Sequence, residues 1–351
     1  MPRGPGWPRE RKIPFLEKTM KLTLSSRNFS RLIKARMTLA VMLISGLLAL
    51  TACSIEKIAL NKAAGMLSSS SGNDVFTNDN DPELVGDALP FAIKLYESLL
   101  AALPDHQGLR LRTGSLYIMY ANAFLQTPAD MMPKEETKQK DFLLQRAKNL
   151  YLRGRDMLLI GLEKKNPLLR VQLKERRFQQ ALAAYAPQDA PALYWTAAGW
   201  VAAFAIDPGD MKLGITLPQA AALMERVIQL DPRFAQASVY NFYILYYGSI
   251  PDYMGGDPQK ARDYFQKAVA ASGSRDTSAF LSLAVTVSQN DQNVAEFKSL
   301  LQKVLDFDPD TAPENRLINI LNQRKARWLL EHIEDFFLLD EVKDGSKKKG
   351  S

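Results

Sequence analysis

The sequence predicts an all-α fold, and three observations support this prediction. Apolar residues recur at the spacing of amphipathic helices along most of the chain. Strand-like alternation of apolar and polar residues is scarce. A small residue followed four positions later by a large one also recurs, which is typical of packed helical pairs. With 351 residues, the chain is long enough for an extended stack of such pairs.

The N-terminal region has the features of a secretory signal. Basic residues precede an uncharged apolar run, Met37 to Leu50, which is shorter than the roughly 20 residues of a membrane span. The chain's one cysteine, Cys53, ends the segment Leu50-Thr51-Ala52-Cys53, which resembles the site where bacterial signal peptidase II cuts before a lipid-bearing cysteine. We therefore expect residues 1–52 to be a leader and cleaved signal peptide, and Cys53 to carry a membrane-anchoring lipid. A buried or reactive cysteine in an uncleaved helix is the alternative.

The net charge of the chain comes from this N-terminal segment. The whole chain is formally +7, with 45 basic and 38 acidic residues. Residues 1–52 hold ten of the basic and two of the acidic residues, so the remainder has 35 basic and 36 acidic residues and a net charge of −1. A nucleic-acid-binding domain is expected to carry a basic patch in its folded part. The one basic run outside the signal is Lys347 to Lys349, in an expected disordered tail, 341–351, so no nucleic-acid partner is predicted.

The segment after the cysteine is expected to be a tether. Residues 53–80 include the serine-rich run Ser68 to Asp74, which is typical of a flexible spacer between a lipid and a folded body. A helical-repeat domain is predicted over residues 81–340. Its first helix begins with Asp81 as the capping residue and Pro82 at the first helical position.

The first predicted helix is amphipathic. Its apolar residues recur at i, i+3, i+4, i+7, i+8 and i+11, and they are Ala92, Leu95, Tyr96, Leu99, Leu100 and Leu103. Pro90 lies within this pattern and predicts a break or a kink in the helix.

Internal repeats indicate how the helices pair. The second helix of a tetratricopeptide hairpin carries an alanine, an aromatic residue four positions later and a proline beyond its end, and Ala92, Tyr96 and Pro104 follow this pattern. Related spacings occur at Ala147–Tyr151, Ala220–Met224–Pro232, Ala261–Phe265–Gly273 and Phe297–Leu301–Pro309. The small residue lets two helices approach, the large one fills the space between them, and the proline ends the helix. We therefore predict tetratricopeptide-like helical hairpins.

The spacing between the copies is irregular. Ala147 to Ala220 is 73 residues, Ala220 to Ala261 is 41 and Ala261 to Phe297 is 36, instead of a regular period of about 34. Long and interrupted helices favour hairpins stacked into a compact superhelix, with a C-terminal capping helix, over an open array. A non-repeating helical bundle is the alternative.

Catalytic and metal-binding signals are weak. The two histidines, His106 and His332, have no visible catalytic companion. The acidic stretch around Asp74 and Asp79 does not satisfy the spacing of a calcium loop. Gly255 and Gly256 are not followed by the lysine and hydroxyl residue of a phosphate-binding loop. The sequence therefore predicts no enzyme activity, no cofactor and no metal site.

Aromatic residues suggest a binding site within the helical domain. Tyr240, Tyr243 and Tyr247 recur at helical spacing and share one face. With Trp195, and with Asn122 as an amide in an otherwise apolar helix, Tyr243 and Tyr247 are our candidate pocket or pore lining. The alternative is that these side chains fill the gaps between hairpins.

Five segments together resemble the T-component family associated with TRAP transporters. They are Phe76 to Glu97, Gly108 to Phe124, Tyr194 to Trp200, Ile250 to Val269 and Asn315 to Phe337. The resemblance implies a periplasm-facing lipoprotein of tetratricopeptide-like hairpins, without catalysis. It also implies a partner, the soluble substrate-binding P-component, and a homo-oligomer, with a trimer as the specific expectation.

Two functions of different class follow from these observations. The first is an accessory transport lipoprotein that docks a P-component and passes a small, partly apolar organic acid. The second is an assembly scaffold of the cell envelope, which also uses such repeats. Ser54 follows the lipid-bearing cysteine, and a residue other than aspartate at that position favours the outer membrane.

Overall fold

A computed structural model describes residues 34–42, 57–68 and 75–338, apart from residues 233, 235, 236 and 274. These residues form helices and their connections, with no strand among them, so the all-α prediction is confirmed. Cys53 and the tail 341–351 lie outside the described residues. The chain divides into two compact units, Met1–Ala59 and Leu60–Ser351.

The described part of the first unit is helix α1, residues 34–42, and the start of helix α2, residues 57–67. All side chains of α1 are exposed. Across all the described residues, no helix has both the length and the apolar character needed to cross a membrane.

The second unit contains the remaining helices. They are α3 (Pro82–Ala102), α4 (Gln107–Ala121), α5 (Thr127–Asp130), α6 (Thr137–Leu162), α7 (Leu169–Lys174), α8 (Phe178–Leu182), α9 (Ala190–Ile206), α10 (Met211–Gly214), α11 (Leu217–Leu230), α12 (Ala237–Ser249), α13 (Pro258–Ser272), α14 (Ser278–Leu283), α15 (Val294–Leu305) and α16 (Arg316–Glu331). Two π-helical segments, Asn122–Gln126 and Ala284–Ser288, follow α4 and α14 directly.

Capping side chains set several helix starts. The Asp81 carboxylate accepts a hydrogen bond from the Leu84 backbone N–H at 3.0 Å, as the sequence predicts. His106 has the same role for α4, because its Nδ1 accepts from the Leu109 N–H at 3.1 Å. Helix α3 runs continuously through Pro90, so the predicted break does not occur there.

Glycines bring α4, α6 and α9 into close contact. A Cβ atom on Gly154 would lie 2.7 Å from the Gly114 backbone oxygen, and one on Gly199 would lie 2.7 Å from Ile118 Cδ1. A larger residue at these positions would push the helices apart. Tyr151 is fully buried in the core beside them, with its hydroxyl donating to Gln126 Oε1 at 2.7 Å.

The small and large residues of the predicted repeats lie mostly in the core. The pairs Ala147–Tyr151, Ala220–Met224, Ala261–Phe265 and Phe297–Leu301 are buried at both positions. Ala92 is half-buried, whereas Tyr96 is buried and donates to the Leu67 backbone oxygen of α2 at 3.0 Å. Helix packing therefore uses these positions as the sequence indicates.

The last helix joins the two ends of this unit. On α16, Leu317 and Leu321 belong to a core cluster with α3 and α4, whereas Ala326 and Leu329 belong to a cluster with α13, α14 and α15. Arg324 also forms an ion pair with Glu83 of α3. Helix α16 therefore does more than cover the last hairpin, because it contacts the first helix as well as the last ones.

Candidate functional site

A cavity of about 650 Å³ lies inside the second unit, between the early and late helices. Residues from α4, α6, α9, α12, α14 and α16 line it, together with both π-helical segments. Its volume falls within the range of about 300–1,000 Å³ that is usual for small-molecule sites. The lining of α16 extends from Leu317 to Leu329, which corresponds to about 18 Å along the helix axis. The cavity is therefore elongated.

The wall is mainly apolar. Its apolar side chains include Ile118, Met119, Val201, Phe242, Leu245, Leu281, Val285, Leu321 and Leu329. Alanines at 198, 202 and 205 form part of the surface that α9 presents to the cavity. Because these three side chains are short, α9 leaves space that larger residues would occupy.

Both π-helical segments contribute to the wall. Asn122 and Gln126 come from the first, and Val285 and Thr286 come from the second. A π-helical turn adds one residue to a helix, and such turns are frequent at functional sites. Nothing in the local sequence indicates these two turns.

Helix α12 has two different faces. Ser238, Asn241, Phe242, Leu245 and Ser249 line the cavity, at the spacing i, i+3, i+4, i+7 and i+11 of one helical face. Tyr240, Tyr243 and Tyr247 lie on the other face, where their rings contact Tyr264 of α13. The sequence analysis predicted that the face with the tyrosines lines the pocket, because aromatic residues are a stronger sequence signal than a serine and an asparagine.

The structure separates the four candidate lining residues into two groups. Asn122 and Trp195 line the cavity. Tyr243 and Tyr247 lie instead in an aromatic stack with Tyr264 of α13, at ring-centroid distances of 4.5 and 5.9 Å respectively. Burial raises the pKa of the Tyr243 phenol, as expected for a packed side chain.

Tyr194, next to Trp195 on α9, is another residue of the cavity wall. Tyr194 lies edge-on to Trp195, with ring centroids 5.4 Å apart, and both side chains line the wall. Burial raises the pKa of Tyr194 to about 12, so its phenol stays protonated at neutral pH.

Asn241 is the most unusual polar group of the wall. Its Oδ1 atom is buried and accepts no hydrogen bond from any described residue. Leaving a buried carbonyl oxygen unpaired costs about 1–3 kcal/mol, so such atoms are rare and call for an explanation. A signal for it was visible in the sequence, since Asn241 is an amide within the otherwise apolar and aromatic stretch of α12.

An ion pair forms part of the wall between α5 and α16. Lys325 Nζ donates to Asp130 Oδ2 at 2.5 Å. Lys140, at the start of α6, lines the same cavity. Sequence reasoning missed these residues, because Asp130 and Lys325 are 195 positions apart and neither belongs to a local motif.

A second polar group lies near the start of α16. Asp276 and Glu314 line the cavity there, and Glu314 forms an ion pair with Arg275 at 2.7 Å. Asn322 of α16 donates to the Ser278 hydroxyl at 3.1 Å. Carboxylates and uncharged polar groups therefore occupy this part of the wall.

These features suit non-covalent binding of an elongated and mainly apolar molecule. Among the residues that the structure describes, no group of three or more His, Cys, Asp or Glu side chains is arranged to hold a metal ion. The cavity combines a long apolar wall with a few polar groups, which is the usual composition of a small-molecule site.

Comparison with known proteins gives two similarities. The model of a family described as TRAP transporter T-component matches residues 78–337, which include every helix from α3 to α16. A Treponema pallidum (strain Nichols) protein, described as uncharacterized, is 37% identical over 267 residues. That match covers 75% of this chain and 83% of the other protein.

Proposed function

This chain belongs to the TRAP transporter T-component family, and on that premise we propose that it docks a substrate-binding P-component and passes that protein's ligand. The family makes it an accessory component of solute transport. In this proposal the chain itself catalyses no reaction and binds no cofactor. The ligand is a small, partly apolar organic acid.

The elongated cavity is the observation that carries this proposal. A wall that follows α16 for about 18 Å suits a ligand that moves lengthwise more than one held at a single point. The three short alanine side chains of α9 keep this space open. Because α16 joins the first and last helices, the cavity is enclosed by helices from both ends of the domain.

The docking proposal is tested by mixing the full chain, reconstituted in lipid nanodiscs, with a TRAP substrate-binding P-component from the same organism. We expect the two proteins to co-elute at micromolar concentrations. Substitution of Ala202 by Phe should leave co-elution unchanged and reduce ligand uptake in cells, because the larger side chain fills the cavity. Absence of association, with both proteins folded and with ligand present or absent, contradicts the proposal and favours the envelope scaffold.

The place of action is also a proposal. A lipid on Cys53 would hold the domain at the periplasmic face of a bacterial membrane, with the outer membrane favoured by Ser54. Cys53→Ser is then expected to release the helical domain from the membrane or to leave the precursor with its signal peptide uncleaved. Detergent partitioning and the mass of the N-terminal peptide measure this, and an unmodified thiol on a soluble protein contradicts it.

The proposed assembly state is a homo-oligomer, with a trimer as the specific expectation. Sedimentation of the chain in detergent, without nanodiscs, measures the number of protein copies in each assembly. A protein that stays monomeric at all concentrations tested contradicts this part of the proposal.

A further inference from the structure

The charged groups of the cavity are unevenly distributed along α16. Lys140 of α6, Lys325 of α16 and Asp130 of α5 line the cavity and carry two positive charges and one negative charge, and α5 contacts both α6 and α16. Asp276 and Glu314 carry negative charges near the start of α16. From Asn315 to Lys325 the helix rises by about 15 Å, so the two charged regions are well separated. Lys325 is therefore well separated along α16 from Asp276 and Glu314.

Lys325 has unused hydrogen-bonding capacity. Its side chain is 16% exposed, and within the described part of the chain its ammonium group donates to Asp130 Oδ2 alone. An ammonium group has three donors, and a largely buried one is costly unless its donors are satisfied. Lys325 lines a cavity whose wall is mainly apolar, so a ligand bound there can supply acceptors for the remaining donors.

Lys140 adds a second positive charge to the cavity wall. Among the described residues it forms no ion pair, whereas Lys325 shares its charge with Asp130. The single carboxylate of Asp130 balances one of the two lysines. An additional anionic group would balance the other.

We infer that Lys325, supported by Lys140, binds the carboxylate of an extended monocarboxylate whose apolar chain lies along α16. This inference rests on the proposed passage of a ligand through the cavity. Asp130 accepts one hydrogen bond of the Lys325 ammonium and therefore competes with the ligand for it. The carboxylate of Asp276, near the start of α16, repels the ligand's head group, and this repulsion favours one orientation in the cavity.

The test compares decanoate with 1-decanol, which has a similar chain and no charge. Equilibrium dialysis measures their binding to the full chain in nanodiscs, with empty nanodiscs as the blank. We expect decanoate to bind more tightly than 1-decanol. Lys325→Met should weaken decanoate binding about tenfold to a hundredfold, the effect of losing a hydrogen bond to a charged group, and leave 1-decanol binding unchanged.

Three further variants make the result specific. Lys325→Arg should retain the preference for decanoate, because it keeps the charge. Asp130→Asn should strengthen decanoate binding, because it removes the competing carboxylate. Lys94→Met is the matched control, since Lys94 is also ion-paired, to Glu97 at 2.7 Å, but lies outside the cavity.

Several outcomes would overturn the inference. They are equal binding of decanoate and 1-decanol by the unmodified chain, unchanged decanoate binding in Lys325→Met, and weaker decanoate binding in Asp130→Asn. Co-elution with the P-component is measured on the same variants. If the unmodified chain docks the P-component but shows no preference for decanoate, this inference alone is overturned, whereas absence of docking by the unmodified chain overturns the proposed function.

Discussion

Replacing Asn241 by leucine is expected to stabilise the protein. The Oδ1 atom of Asn241 is buried at the cavity wall and accepts no hydrogen bond from a described residue. Its desolvation therefore reduces the stability of the folded state without a compensating interaction. Leucine has a similar shape and no polar group, so Asn241→Leu removes this cost and adds apolar surface to an apolar wall.

The expected gain follows from the cost of an unpaired buried group. That cost is about 1–3 kcal/mol, and the free energy of unfolding should rise by a similar amount. For a domain of this size, each kcal/mol corresponds to roughly 2–4 °C in melting temperature. An increase of this size is well above the error of a thermal or urea unfolding measurement.

Asn319→Leu is the matched control, and it is expected to lower the free energy of unfolding instead of raising it. Asn319 is fully buried, and its Oδ1 accepts from both the N–H and the hydroxyl of Thr277, at 3.0 and 2.8 Å. Its removal leaves those donors unpaired, and each costs about 1–3 kcal/mol. Both variants are measured by urea unfolding of the full chain. A free energy of unfolding for Asn241→Leu equal to or below that of the unmodified protein refutes the reasoning.

Three further predictions concern the core and its charges. Gly154→Ala should lower the free energy of unfolding by about 1–3 kcal/mol, because its Cβ would lie 2.7 Å from the Gly114 backbone oxygen, and an unchanged melting temperature contradicts this. Tyr243→Ala should cost about 3–5 kcal/mol if the ring is packed, and normal melting with impaired uptake would instead favour the pore-lining hypothesis. Glu296 is desolvated, which raises its pKa, but the hydrogen bond and charge of Arg262 outweigh this and hold the pKa below its usual value. A carboxyl group with a lowered pKa stabilises the fold above its unfolded pKa of about 4.3, and this contribution is lost as the pH falls through the pKa of the folded state. Glu296→Gln should therefore lower the free energy of unfolding at pH 7 and make that free energy fall less on acidification. Urea unfolding at several pH values measures both effects.

Local patterns in the sequence were sufficient for the helices and much of their packing. The Asp81 cap joins two residues that are three positions apart, and the buried pair Ala220 and Met224 is four positions apart. Such contacts form within one or two helical turns, so the spacing of residue types indicates them. The break predicted at Pro90 did not occur, because a proline removes one hydrogen bond and the surrounding packing maintains the rest of α3.

The orientation of α12 was not available from the sequence. The helix is apolar or aromatic on every side, so its pattern does not show which face meets the cavity. Contacts with α13 place Tyr243 in the aromatic stack and turn Asn241 towards the cavity. Both residues belong to the same predicted helix, and only its packing against other helices distinguishes them.

The sequence by itself determined the all-α class, the start of α3 at Asp81, the small and large residues of the helical pairs, and the resemblance to the family. The tertiary structure alone decided where the cavity lies and which residues line it. Asp130 and Lys325 are 195 residues apart and meet only because α16 contacts both the early and the late helices. Helices form from interactions between near neighbours, whereas a cavity wall is assembled from segments that become neighbours only after the whole domain has folded.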